Sequence, residues 1–196
     1  MNRHYKQVQE FHKACSIDMP SKPTMLSKGN QAQSIECVRY GQKLEHLSNL
    51  MKESELSSPV LVRAAYMLEE LSEFLYAETI EDQADALGDI TYFNVGTHTL
   101  MGLPPEQVFD EIHGANMRKV VNGKVLRNEL GKIKKPEGWY GPEKDIKRFI
   151  EGQRIGSENM DCRQKLYYLM NYSNDMLMKM SDEECEAEWD ELCRSL

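Results

Sequence analysis

Six carboxylates carry the chemistry open to this sequence: Glu69, Glu70 and Glu73, then after a short gap Asp82, Asp85 and Asp89. At 3.6 residues per turn, side chains three or four apart share a helix face. Glu70 therefore projects with Glu73, Glu69 with Glu73, Asp82 with Asp85, and Asp85 with Asp89. Carboxylates crowded in this way repel one another or take up protons unless they face water or hold a hard divalent cation. Oxygen-only ligation favours Mg²⁺ or Mn²⁺ over Zn²⁺. A solvated helix face is the ordinary fate of such residues. Two features weigh against it here: Glu70 and Glu73 sit among Leu71, Phe74 and Leu75, and no Lys or Arg occurs between Arg63 and Arg118. Acids without a base nearby in sequence call for an external cation.

Helices must position these groups. Tyr66, Met67, Leu71, Phe74 and Leu75 on the first segment, and Ile80, Ala84, Leu87, Ile90, Tyr92 and Phe93 on the second, supply apolar content to bury both. Ser58 and Pro59 suit the N-cap and first turn of one helix, Thr79 with Asp82 caps the next, and Gly102 ends it. The connection 76–79 is short enough for an antiparallel hairpin, which brings the two acidic clusters side by side. Around this pair the sequence predicts a helix over Arg3 to Ala14, a linker through Gly29, and a long polar helix over Gln31 to Glu53. A further core helix begins at Pro104 and Pro105 and carries His113, Asn116 and Lys119. Asn122-Gly123 marks a turn between Val120 to Val121 and Lys124 to Leu126. The expected class is all-α, with four helices bundled around a carboxylate-lined core.

Three stretches, EELSEF (69–74), DALGDITYF (85–93) and EIHGANMRK (111–119), resemble the all-α nucleoside triphosphate pyrophosphohydrolases, a group that includes MazG-like, dimeric dUTPase-like and phosphoribosyl-ATP pyrophosphohydrolase-like proteins. That family's pattern is Glu-Glu-x-x-Glu on one helix and Glu-x-x-Asp on the next. Glu69, Glu70 and Glu73 match the first half. The second half departs: with Asp89 as the terminal Asp, Ala86 stands where Glu belongs and Asp85 substitutes from one position earlier. Alternatively, Asp82 and Asp85 are the pair, and both registers stay open. Val8, Phe11 and His12 near the N-terminus, and Gly131 with Lys132, extend the likeness over residues 5 to 150.

The resemblance implies a MazG-like bundle over residues 1–156, followed by a helical extension over 157–196. It implies hydrolysis of a (deoxy)nucleoside triphosphate, with dGTP or another purine deoxynucleotide as the subgroup's suggestion, to the monophosphate and pyrophosphate. Glu69, Glu70 and Glu73 become the catalytic carboxylates, with Glu69 or Glu73 orienting the attacking water. All six acids become ligands of Mg²⁺, for which Mn²⁺ can substitute. Asn116, Lys119, Lys132 and Lys135 take the phosphates, with Arg118 and Arg127 as further candidates. Phe11, His12, Trp139 and Tyr140 are flat rings suited to a base, and His12 is the substrate-binding choice among them. Members of the family assemble as dimers or tetramers, so a homo-oligomer is expected.

Composition agrees with this picture. A net charge of −8 argues against nucleic acid or an anionic membrane as partner. No apolar run reaches the length of a membrane span, and the N-terminus is too polar for a secretory signal. Five cysteines, odd in number and without a C-x-x-C pair, fit a reduced, cytoplasmic setting. Residues 157–196 hold ten acids against four bases and predict one amphipathic helix followed by a short acidic one containing Trp189 and Leu192. That tail leaves a second class open, a non-catalytic helical interaction protein retaining the family scaffold.

Overall fold

Local capping signals set the helix boundaries almost wherever they were expected. In the computed structural model, which describes residues 3–55, 58–170, 172 and 174–195, α1 runs Arg3–Ala14, α2 Gln31–Lys52, α3 Pro59–Tyr76 and α4 Ile80–Leu100. The Asn30 side chain accepts from Gln33 N and the Gln33 side chain accepts from Asn30 N, a reciprocal pair that starts α2. Ser58 caps α3 with Pro59 in its first turn, and Thr79 with Asp82 forms a second capping box at α4. Then follow α5 Pro105–Met117, a hairpin of β1 Val120–Val121 and β2 Lys124–Val125, and α6 Glu143–Ile155. Asn122 and Gly123 both adopt positive φ (52° and 78°), which the two-residue hairpin turn requires.

The chain divides into two compact units, one of residues 19–105 and one combining the N-terminal stretch to Asp18 with Glu106 onward. In the first, α2 and α4 both pack on α3. Small residues allow the helices to approach: Ala65, Ser48 and Ser72 are fully buried, and Ser48 Oγ donates to Ala65 O at 2.8 Å. Gly41 matters for the same reason, since a Cβ there would lie 2.6 Å from the Tyr76 ring. Tyr66 and Phe93 stack at 5.1 Å between α3 and α4. The expected apolar stripes are only partly interior: Leu71, Ala84, Leu87 and Tyr92 are exposed, and α4 instead buries Gln83 and Ala86.

The all-α class expected from the sequence is what the structure shows; within residues 19–105, α2, α3 and α4 are the helices around the acidic pair, and α5 falls almost entirely in the other unit. In the second unit, residues 157–196 form α7 Cys162–Tyr168, α8 Asn174–Leu177 and α9 Asp182–Ser195 after a turn of 3₁₀ helix. The single amphipathic helix expected before α9 is thus broken. The Tyr172 N–H reaches back to Leu166 O at 3.0 Å and closes α7, which brings Leu166, Leu177 and Cys185 into one small core against Trp189 and Leu192.

Candidate active site

The α3–α4 hairpin brings the acidic clusters together around Glu70. This residue is buried, 7% exposed, and its Oε2 has no hydrogen-bond partner. Burial raises its carboxyl above the ordinary carboxylate range, and the charges of Glu73, Asp89, Glu69 and Asp85 push it further the same way. Four of the other five acids therefore act on one buried carboxyl. Asp82 is the exception. Hydrogen bonding with the Thr79 side chain, and then with the backbone N–H groups of Glu78 (3.3 Å) and Thr79 (3.1 Å), from which its Oδ2 accepts, holds its carboxyl below the usual value. The charges that push on Glu70 include Asp85 and Asp89 and not Asp82, and Ala86 between them is buried.

Glu73, Asp85 and Asp89 are exposed, and Glu73 lines a cleft of about 280 Å³ with Tyr76, Ala77, Glu78, Asp82 and Asp85. Among the described residues, no three His, Cys, Asp or Glu side chains form a ready cation cage. Chemically the donor set still suits a hard divalent cation: every candidate ligand is a carboxylate, and the orphaned Glu70 oxygen lacks a protein donor.

Bases that sequence spacing could not reveal also reach this unit's acids. Lys52, from the last turn of α2, forms an ion pair with Glu69. Lys28 Nζ donates to Tyr76 O and to Glu78 Oε1, both at 2.8 Å, placing a cation on the carbonyl end of α3. Gln83, buried in α4, bonds both the N–H (2.8 Å) and the C=O (3.0 Å) of Leu26 and so fixes the strap that carries Lys28. Proximity in sequence gave no sign of Lys28 or Gln83; Lys52 had one weak signal, a basic residue in a helix's last turn.

The residues expected to bind phosphate all lie in the second unit. Asn116 is in the last turn of α5, whereas Lys119 is not on that helix as expected: α5 ends at Met117 and the chain turns, with Lys119 N bonded to Asn116 O. The two side chains nevertheless meet, Lys119 Nζ donating to Asn116 Oδ1 at 2.7 Å. Lys119 and Lys135 both lie over the Trp139 ring, at 5.6 and 4.0 Å from its centroid. Lys132 is exposed on a loop where its backbone bonds Asn128, and neither it nor His12 forms a hydrogen bond or ion pair with this group. Arg118 and Arg127 are committed elsewhere, Arg118 to Tyr140 O, Gly141 O and Asp145, and Arg127 to Gly131 O and Cys15 O.

An α-helical pair with an acidic cluster on each helix defines an all-α, carboxylate-bearing domain. Residues 41–116 match the family described as phosphoribosyl-ATP pyrophosphohydrolase, one of the MazG-like all-α nucleoside triphosphate pyrophosphohydrolases, so this segment is similar to nucleotide pyrophosphohydrolases. The matched segment spans the carboxylates and Asn116 and stops before Lys119. No curated protein and no solved structure matches the chain. Among the described residues, no helix is long and apolar enough to cross a membrane.

Proposed function

We propose that the chain hydrolyses a (deoxy)nucleoside triphosphate, with purine deoxynucleotides such as dGTP first in line, to the monophosphate and pyrophosphate, using Mg²⁺. The supporting observation is Glu70, a buried carboxyl with an unpartnered oxygen among four like charges, an arrangement that costs stability and gains a purpose when a cation is present. Glu69, Glu70, Glu73, Asp85 and Asp89 are the residues that would hold the ion, with Asp82 chiefly serving the helix cap. Bound Mg²⁺ supplies neutralisation of phosphate oxygens and acidification of a water. The chain's own part, within residues 19–105, is to orient that water through Glu73 or Glu69.

Exposed apolar side chains, Val60 at 78%, Tyr92 at 77% and Leu100 at 72%, support a homo-oligomer as the working form, which light scattering on the purified chain would measure. Five free cysteines support a reducing, cytoplasmic location. The deciding experiment is pyrophosphate release from a panel of nucleoside triphosphates with and without Mg²⁺. Metal-dependent turnover of at least one nucleotide, abolished by Glu70→Gln, is the expected result. Absence of turnover across the panel would return the chain to the interaction-protein class.

A further inference from the structure

We propose that the cavity between the start of α3 and the end of α4 holds the nucleobase, and that Arg63 reads the acceptor edge of guanine there. This deepens the nucleotide-hydrolase reading and rests on it for the natural ligand. The cavity measures about 450 Å³ and is lined by apolar side chains of the two helices, Met67, Leu100 and Met101 among them, with Arg63 and Thr97 as the polar ones. All belong to the same compact unit as the acids. A cavity of this size, apolar with a few polar groups, suits a flat heterocycle.

Helical spacing puts it on the seam that carries the carboxylates. Arg63, Met67 and Glu70 stand at i, i+4 and i+7 of α3, and Asp89, Phe93 and Thr97 at i, i+4 and i+8 of α4, so each set shares a face. The two faces meet: Arg63 Nε donates to Thr97 Oγ1 at 2.9 Å, and Arg63 Nη2 donates to Phe93 O. Along the axis Arg63 lies about 10 Å from Glu70, close to the span between a purine's outer edge and its α-phosphate.

The guanidinium is held ready. Thr97 Oγ1 itself donates to Phe93 O at 2.7 Å, which fixes both acceptors, and the Phe93 ring lies 5.3 Å from the guanidinium carbon. Gly96 leaves room for it, since a Cβ there would stand 3.0 Å from Nη2. Nε and Nη2 spend one edge of the planar group on α4. The other fork, Nη1–H with the second Nη2–H, donates to nothing among the described residues. Two parallel N–H groups match O6 and N7 of guanine, whereas adenine presents an amino donor in place of O6. A purely apolar occupant would leave that fork unpaired, and an anionic one would be brought toward the carboxylates of the same seam.

The test is NMR of the full chain carrying ¹³C-labelled methionine methyls, titrated in EDTA with deoxyguanosine, 7-deazadeoxyguanosine and deoxyadenosine. Deoxyguanosine should shift the Met67 and Met101 methyls by the ring current of the bound base and bind about 10–100-fold more tightly than deoxyadenosine. Loss of N7 alone should weaken binding about tenfold. Arg63→Lys, which keeps the charge without the fork, should bring the ratio of the two natural nucleosides close to one. A merely distorted pocket would weaken both together and leave the ratio standing. Should the Lys variant fail to fold, the 7-deaza comparison decides on wild type alone. Equal affinity for deoxyguanosine and its 7-deaza analogue, unshifted Met67 and Met101 methyls, or an unaltered ratio in folded Arg63→Lys overturns the proposal. Shifts at these methionines that follow protein concentration instead of nucleoside overturn it too, because a second copy then fills the cavity. Guanine-selective binding here in a chain that hydrolyses no triphosphate would sink the hydrolase reading and leave this site intact.

Discussion

Replacing Glu70 by Gln separates the demands of folding from those of catalysis. The side chain keeps its shape, loses its charge, and no longer meets the repulsion of Glu73, Asp89, Glu69 and Asp85. Its burial leaves one oxygen without a partner, so the charged form bears an uncompensated desolvation cost. A neutral amide bears a smaller one. The substitution should therefore stabilise the metal-free protein by about 1–3 kcal/mol at neutral pH. For a chain of this size that corresponds to a rise of about 3–9 °C in melting temperature. The pH dependence gives a second reading. A carboxyl raised in the folded state keeps its proton in the window between the ordinary value and the raised one, where the unfolded chain has released it. Its stabilising contribution is complete below the ordinary carboxylate value and is lost as pH rises through the raised value. Wild type should show this loss in metal-free melts, and Glu70→Gln should lack it. Mg²⁺ should reverse the ranking: at a hundred times its dissociation constant it stabilises wild type by about 2.7 kcal/mol, and the variant by less. Turnover of the best nucleotide should fall at least the ~10–100-fold seen when a metal ligand's surroundings are disturbed. A metal-free variant less stable than wild type, or one with the same pH slope, would refute the reasoning about Glu70, whatever its activity.

Three further outcomes follow from the same geometry. Asp89→Asn should lower turnover by about 10–100-fold, whereas Asp82→Asn should leave turnover near wild type and show itself only in thermal melts as a weaker α4 cap; equal losses in kinetic assays would restore the Asp82 register. Gln83→Met removes both bonds to the Leu26 backbone and should cost about 1–3 kcal/mol, with faster proteolytic cleavage within residues 19–29; an unchanged cleavage pattern would show that the strap is held by other contacts. Leu166, fully buried beside Leu177 and Cys185, should cost about 2–5 kcal/mol on change to Ala, read as early exchange of α7 and α9 amides, and protection equal to wild type would mean that this small core does not hold those helices.

The acidic pattern, the helices that bear it and their caps were legible in the sequence because each depends on neighbours within one or two turns. Ser58 with Pro59, Thr79 with Asp82 and Asn122 with Gly123 all behave as their spacing predicts. The sequence also determined that Glu69, Glu70 and Glu73 share a helix with apolar neighbours. It did not distinguish Glu70 from its fellows, since burial depends on how the neighbouring helices pack on α3 and not on spacing along it. Only the tertiary structure separated Asp89 and Asp85, whose charges act on Glu70, from Asp82, whose Oδ2 accepts from the backbone of its own helix start. Contacts between distant segments did the rest: Lys52 on Glu69, Lys28 on the end of α3, and two lysines sixteen residues apart over one indole. Local spacing encodes helices and their faces. Which charges meet depends on packing among residues far apart in the chain, and only the folded molecule shows it.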